Sequence, residues 1–274
     1  MSNSVNSNIG ATIALQSLNR TNSELASVQK RVSTGFRVSD AKDDGAAFAV
    51  AQGLRADVKG NEAVNERLSV AKGLLSVTQE GLKGISNTVG EMRKVAVKLA
   101  DDNLSTDERT QYNADFTALA ADITKYIGQS SFGGNNLINQ ATAINVISDS
   151  SGGNISLGAA NLTTSLATLT GTTMATGANV RANLINAGGA LDTFEGVIST
   201  RLAAVGANSR SVENQDAFIK VLSDTITDGI GSIVDADLAK ESAKLQALQI
   251  RQQLGTQTLS IANQSPSALL SLFK

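Results

Sequence analysis

The densest grouping of chemically capable side chains is Asp40, Lys42, Asp43 and Asp44, followed by Gly45. Carboxylates ahead of a glycine are the ingredients of a calcium loop, and the spacing tests that idea. With Asp40 in the first position, Gly45 takes the sixth as required, but Lys42 falls at the third and Ala51 at the twelfth, where an oxygen ligand and a bidentate glutamate belong. The stretch is therefore read as a linker (Gly35, Asp40, Asp43, Asp44, Gly45) whose acidic groups are paired or solvated. Asp235 and Asp237 lie two apart, hence on different faces of a helix, and do not make an acid/base pair. The pairs Gly152-Gly153 and Gly188-Gly189 lack the following Lys-Ser/Thr of a phosphate-binding loop and read as ordinary turns. The sequence contains neither Cys nor His, which removes the thiol and imidazole nucleophiles, the usual general base and the standard zinc and iron ligand sets. No catalytic, cofactor or metal site emerges, and the chain is not read as an enzyme.

The chemistry is thus that of packing, and the apolar pattern carries it. In the N-terminal part Ala11, Leu18, Leu25 and Val32 repeat every seven residues, with Ala14 and Val28 in a second register, and this predicts an amphipathic helix. The stripe is narrow, because Ser4, Ser7 and Thr21 hold equivalent positions, so the helix is expected to need a partner. Beyond the linker, Leu68, Leu75, Leu82, Val89 and Ala96, accompanied by Val64, Ala71, Ile85, Met92 and Leu99, predict a long helix with coiled-coil-like packing. It ends at 101–104. Ser105 and Glu108 then form a Ser-x-x-Glu capping box, and Tyr112, Phe116, Leu119, Ile123 and Tyr126 give the face of a returning antiparallel helix.

From Gly128 to about Ala178 the composition turns to Gly, Ser, Thr and Asn. Ile144 to Ile147 and Asn154 to Leu157 are expected to pair as a β-hairpin around Ser150 to Gly153. Gln140 to Gly177 as a whole is read as solvent-facing, and any sugars would attach there. The most regular register follows: Leu184, Leu191, Ile198, Val205, Val212, Ile219, Ile226 and Ile233, which one straight helix would explain. Its companion positions include Arg201, Asn208 and Gln215, so the stripe is thin in the middle. A last amphipathic stretch carries Leu238, Leu245, Leu248, Leu259 and Ala262 and is expected to end near Pro266. An apolar tail of Leu269, Leu270, Leu272 and Phe273 follows.

The 23 basic and 25 acidic side chains nearly cancel, and no Lys/Arg block of the kind that neutralises phosphates exists, which argues against nucleic acid as a partner. No run approaches the roughly 18 consecutive apolar residues of a membrane span. The first 19 residues hold no Lys or Arg, so a Sec signal peptide is not supported. Length discriminates between a globule and a rod. A helix from Leu184 to Ile233 would be roughly 75 Å long, whereas a compact domain of this size would measure only about 50 Å across. The expected fold class is mainly α, an elongated helical bundle or coiled coil with a small β-hairpin region. The expected divisions are an N-terminal helix over 1–34, the linker over 35–45, helices leading to the hairpin region over 46–139, a surface segment over 140–179, a long helix over 180–234 and a C-terminal helix over 235–274.

Both ends of the sequence resemble a known family. At the N-terminus, Val5-Asn6-Ser7-Asn8, Leu18-Asn19-Arg20, the run from Arg31 through Thr34-Gly35 to Val38, and Asp40-Ala41-Lys42-Asp43-Asp44-Gly45-Ala46 look like the typical start of bacterial flagellins. At the C-terminus, Ile233-Val234-Asp235-Ala236-Asp237, Glu241, Leu248 through Thr256, Ala262-Asn263-Gln264-Ser265-Pro266 and Leu269 through Lys274 are similar to the flagellin end. Phe132-Gly133-Gly134-Asn135-Asn136-Leu137 resembles the family's segment before its hairpin. The resemblance implies an inner layer in which the terminal helices pair, with Leu18, Leu25, Val28, Val32, Leu245, Leu248, Leu259 and Leu270 driving self-assembly. It also implies an outer layer packed through Leu68, Leu75, Leu82, Val89, Leu191, Ile198, Val205, Ile219 and Ile226. The chain looks like a short, minimal flagellin without room for large outer domains.

Membership of that family would imply a homopolymeric filament for swimming motility, export through the flagellar type III apparatus with its chaperone, contacts with hook-associated and cap proteins, and an extracellular location. The rival within the same architecture is a hook–filament junction protein. A metallopeptidase insert, which some flagellins carry, would need a His-Glu-x-x-His motif that a chain without His cannot supply. In many flagellins an innate-immune receptor grips the stretch corresponding to Gly90 through Val97 (here Glu91, Met92 and Val95), where the typical first charged residue is Arg. Glu91 reverses that charge, and recognition is expected to be weak.

Overall fold

A computed structural model of the chain describes residues 8–270, with side chains described up to Gln264. The first seven residues and the side chains of the apolar tail, Leu270 among them, lie outside that description. The elements are the helices α1 (Ile9–Thr34), α2 (Gly45–Leu99) and α3 (Thr106–Gln129), the strands β1 (Ile144–Ile147) and β2 (Asn154–Leu157), then α4 (Leu162–Thr170), the short α5 (Gly177–Val180) running into a π turn (Arg181–Ile185), α6 (Ala190–Val234) and α7 (Leu238–Leu270). The fold is mainly α with one small antiparallel sheet. The chain forms two compact units, Met1–Ala56 with Thr225–Lys274, and Asp57–Asp224.

In the larger unit, α2, α3 and α6 bury their heptad positions together. Leu68, Leu75, Leu82, Val89, Met92, Ala96 and Leu99 from α2 meet Phe116, Ile123 and Ile127 from α3 and Leu191, Phe194, Ile198, Val205, Val212 and Ile219 from α6 in one core. None of these side chains is more than 4% exposed. Glycines on α2 admit the chain that leaves α3: a β-carbon at Gly73 would come within 2.8 Å of the Phe132 ring, and one at Gly81 would collide with the Ser130 hydroxyl. Ser105 and Glu108 form the expected capping box at the start of α3. The α2 C-terminus is closed from outside, because Arg109 donates to the Leu99 and Asp101 carbonyls, each at 2.8 Å, and Arg181 donates to that of Ala100. These are carbonyls that a helix end leaves without intrahelical partners.

The hairpin pairs Ile144 with Leu157 through Ile147 with Asn154, as the sequence predicts. Its turn is organised by Asp149, whose Oδ1 accepts from the Ser151 and Gly153 amides at 2.8 and 2.9 Å. Gln215 of α6 donates to the Ser148 carbonyl at 2.7 Å, so one of the polar positions that thin the α6 stripe holds the hairpin. Asn136 fixes the preceding loop: its amide nitrogen donates to the Ile127 carbonyl at 2.6 Å, and its oxygen accepts from the Ile138 and Asn139 amides.

Three expectations need correction. The stretch from Gln140 to Gly177 does not simply face solvent. Asn161 caps α4 through its side chain, and Leu162, Leu166 and Leu169, spaced four and three apart, bury with Leu157 in the same core. The straight helix from Leu184 to Ile233 is interrupted, because the π turn ends at Asn186 and Gly188 adopts φ +80°, a left-handed conformation that glycine tolerates. α6 starts only at Ala190, yet Leu184 and Leu191 are both fully buried, so the seven-residue spacing survives the break. Finally, α7 does not stop near Pro266 but continues as helix to Leu270.

The smaller unit contains α1, α7, the linker and the adjoining ends of α2 and α6. α1 closes on Gly35, whose φ of +76° allows its amide to reach the Arg31 carbonyl at 2.9 Å. The two connectors are stitched by backbone: Arg37 and Val38 both donate to the Val234 carbonyl, and Ala236 donates to that of Gly35. Val38, Ala51 and Val234 form a small core there, with Phe48, Ile230 and Ile233 packed against it.

Candidate assembly surface

The linker carboxylates act as backbone acceptors. Asp43 Oδ2 takes the Ser39 amide at 3.0 Å, the Ser39 hydroxyl at 2.9 Å and Lys30 Nζ at 3.2 Å. The Ser39 amide and hydroxyl, with Lys30 behind them, hold the Asp43 carboxyl at about 2. Asp40 accepts Lys30 Nζ at 2.7 Å and the Lys42 and Asp43 amides, and its pKa is lowered, chiefly by Lys30. Asp44 Oδ1 accepts the Ala46 and Ala47 amides at 3.1 and 3.0 Å, which caps the start of α2 at Gly45. All three side chains thus shape a turn. Among the described residues no cluster of carboxylates fits a metal ion. Asp235 and Asp237 lie in the connector rather than on a helix; Asp237 caps α7 by accepting the Lys240 amide at 3.1 Å.

α1 and α7 pack antiparallel, as their polar rungs establish: Asn22 accepts from Gln252 at 2.8 Å, and Arg31 pairs with Glu241 at 3.4 Å. The seam is a heptad. On α1 it runs through Ala11, Ala14, Leu18, Thr21, Leu25, Val28 and Val32, and on α7 through Glu241, Leu245, Leu248, Gln252, Gly255, Leu259 and Ala262, all buried or half-buried. Seven of the eight inner-layer residues named from sequence are therefore on the seam, the eighth being Leu270. Sequence reasoning missed Glu241, Gln252 and Gly255, whose types carry no apolar signal. Their only trace is the alternating three- and four-residue spacing they complete.

Of the outer-layer set, Leu68, Leu75, Leu82, Val89, Leu191, Ile198, Val205 and Ile219 share the large core. Ile226 is half-buried and falls in the smaller unit. In the stretch compared with a receptor-binding segment, Glu91 is exposed and paired with Lys94 at 2.7 Å, Val95 is half-buried, and Met92 is wholly inside the core.

Folding leaves a second set of apolar side chains uncovered on the terminal pair. Ile9 and Ile13 of α1 are 59% and 62% exposed, and Ile250, Leu254 and Ile261 of α7 are 59%, 57% and 64% exposed. Leu15 is nearly half-exposed. They sit off the seam, with Ile9 and Ile13, and likewise Ile250 and Leu254, four residues apart, so each helix presents apolar surface on more than one face. A helix that is apolar on several faces is ordinarily buried on several sides. Such an arrangement is suited to binding further helices.

Comparison with known proteins agrees with this geometry. A family model of the bacterial flagellin N-terminal helical region matches residues 5–143, and one of the bacterial flagellin C-terminal helical region matches residues 189–273. Flagellin FljN of Caulobacter vibrioides is 41% identical over 273 residues, covering 99% of both chains. Flagellin FljM of the same organism is 38% identical with the same coverage. A flagellin of Brucella melitensis is 31% identical over 281 residues, again covering 99% of each chain. By two family models and by relatives that span its whole length, the chain belongs to the bacterial flagellin family.

Proposed function

We propose that the chain is the repeating structural subunit of a flagellar filament and that its paired ends drive polymerisation. The observation that carries this reading is the set of exposed Ile9, Ile13, Ile250, Leu254 and Ile261 on a helix pair whose seam is already closed. Covering a large aliphatic side chain contributes about 1.5–3 kcal/mol, so a handful of such contacts repeated at every subunit suffices for a stable polymer. The role is structural and asks for no catalysis. The same reading includes export through the flagellar type III apparatus with its chaperone, contacts with hook-associated and cap proteins, and residence outside the cell. It favours the propagating subunit over the junction protein, since relatives named flagellin match from end to end.

The test is to place a charge on the uncovered faces. Ile13→Asp and Leu254→Asp, each exposed in the subunit, should leave the secondary structure of the soluble chain intact by circular dichroism and abolish sedimentable filaments after seeding. Filaments of normal length and yield from both variants would defeat the reading. For the immune receptor, the exposed Glu91 and the burial of Met92 favour weak recognition, because a receptor approaching this stretch would meet a carboxylate.

A further inference from the structure

Pro266 lies inside α7, which runs on to Leu270. Proline has no amide hydrogen, so the carbonyl four residues earlier, that of Ala262, loses its ordinary helical donor. In the structure that carbonyl receives a hydrogen bond from the other end of the chain: Asn8 Nδ2 donates to Ala262 O at 2.7 Å. The opposite side of the same amide is also used. Asn8 Oδ1 accepts the Ala11 amide at 2.9 Å and so caps α1. One side chain therefore ends one helix and fills the gap that proline opens in the other.

We propose that Asn8 and Pro266 form a matched pair that sets the stagger of α1 on α7. At the other end of the pair the connector backbone ties the helices, and between them the Asn22–Gln252 bond is solvent-exposed and the Arg31–Glu241 pair is at 3.4 Å, so the stretch near residue 8 has little else to fix its stagger. The seam's apolar members are mostly half-buried, it contains Thr21, Gln252 and Gly255, and a heptad seam repeats itself after every two turns. Sliding costs such a surface little. A donor fixed at a helix start, facing an acceptor that occurs where the proline leaves one, is met at only one stagger. This is the use best attested for polar groups in helix seams, the selection of register at some expense in stability. The pairing of the ends is itself seen in the structure, so the inference stands whether or not the chain polymerises.

The absence of cysteine makes a direct test available. A β-carbon at residue 255 would lie 3.9 Å from that of Leu18, inside the roughly 3.5–4.5 Å span of a disulfide. The full-length chain carrying Leu18→Cys with Gly255→Cys reports the observed stagger, and Leu18→Cys with Ala262→Cys reports a slip of one heptad. Oxidation of dilute soluble protein, read as the internally cross-linked monomer on a non-reducing gel, gives the ratio of the two. With Asn8 and Pro266 present the first cross-link should prevail. Asn8→Ser keeps a good cap but loses the reaching donor, and should shift the ratio toward the slipped pair by roughly tenfold, the scale of a hydrogen bond whose loss strands a carbonyl. Pro266→Ala restores the helical amide and should make the further change Asn8→Ser nearly silent. An unchanged ratio in Asn8→Ser would overturn the proposal. So would an equal shift with and without Pro266→Ala, which would assign the effect to capping alone, or loss of both cross-links, which would make Asn8 necessary for pairing rather than for stagger.

Discussion

The bundle of α2, α3 and α6 and the pair of α1 and α7 are built from the same heptad grammar, yet folding treats them differently. In the bundle the heptad leucines, valines and isoleucines are sealed against the neighbouring helices, with relative exposures of 0–4%. In the terminal pair only Thr21, Val28 and Leu248 are buried among the described residues of the two helices, while five large aliphatic side chains stay more than half exposed. The difference is one of how many faces each helix has covered. The bundle completes its core within one chain; the pair satisfies a single seam and leaves other faces uncovered, the faces proposed above to meet further copies. Stability of the subunit and stability of the polymer should therefore reside in different residues.

The largest expected effects come from separating those two quantities. Leu82→Ala removes a fully buried side chain from the bundle and should lower the unfolding free energy of the soluble chain by about 2–5 kcal/mol. Ile250→Ala, on an exposed face of α7, should change it by no more than about 0.5 kcal/mol while lowering the temperature at which filaments depolymerise. Calorimetry of subunit and polymer measures both. A large loss in the soluble Ile250 variant would erase the contrast. The same logic predicts more helix by circular dichroism in the polymer than in the free subunit, since a pair covered on one face only is marginal alone.

An intermediate effect concerns a charged group that the bundle buries. Asp216 of α6 is 4% exposed, and its Oδ2 accepts Lys220 Nζ at 2.8 Å and Lys72 Nζ at 2.5 Å, while its enclosed Oδ1 has no hydrogen-bond partner among the described residues. The hydrogen bonds from Lys220 and then Lys72 lower its pKa below the ordinary 3.8. A depressed folded value means that the contribution is fully present above the ordinary value and is lost as pH falls through the lowered one. Both ammonium groups reach solvent, so screening reduces the contribution to about 1 kcal/mol. Asp216→Asn should cost that much at neutral pH and flatten the acid limb of the stability curve below about pH 4. An acid limb identical to that of the parent chain would place the pH sensitivity elsewhere.

What the sequence disclosed follows the same division. Leu68, Leu75, Leu82 and Val89, like Leu191 through Ile219, were legible because a bundle core demands large aliphatic residues at fixed intervals. The hairpin and the capping box were legible because turn and cap chemistry is local. The terminal pair was only half legible. Its seam contains Glu241, Gln252 and Gly255, and a search for one apolar stripe passes over Ile13, Ile250, Leu254 and Ile261, which lie off that stripe and stay exposed. The buried Leu162, Leu166 and Leu169 were hidden by the Ser/Thr-rich composition around them. The break before α6 was invisible because the π turn keeps Leu184 and Leu191 seven residues apart while the backbone between them leaves the helix. In the continuation of α7 past Pro266, the stranded Ala262 carbonyl finds its donor at the opposite end of the chain, a partner that no local rule supplies.

The smallest structural effect, and the finest test of the contrast, is expected at Glu91. It lies on α2, one residue before the wholly buried Met92, and is itself exposed, with Lys94 at 2.7 Å as its partner. An exposed pair three residues apart on a helix is worth at most about 0.5 kcal/mol, so Glu91→Arg should leave the subunit's melting temperature nearly unchanged. It should also leave filament assembly unchanged, because the substitution touches neither the bundle core nor the uncovered faces of α1 and α7. What it changes is the sign of the charge and the supply of five donors that a receptor built for a guanidinium would meet. Restoring such a contact should raise affinity by about 2 kcal/mol or more, roughly thirtyfold. A reporter-cell assay with depolymerised protein measures the outcome, with a typical Arg-bearing flagellin as reference. Weak signalling from the parent chain and strong signalling from Glu91→Arg are expected. Parent signalling equal to the reference would show that this position does not govern recognition, and a variant that failed to assemble would show that the exposed side of α2 belongs to the polymer contacts after all.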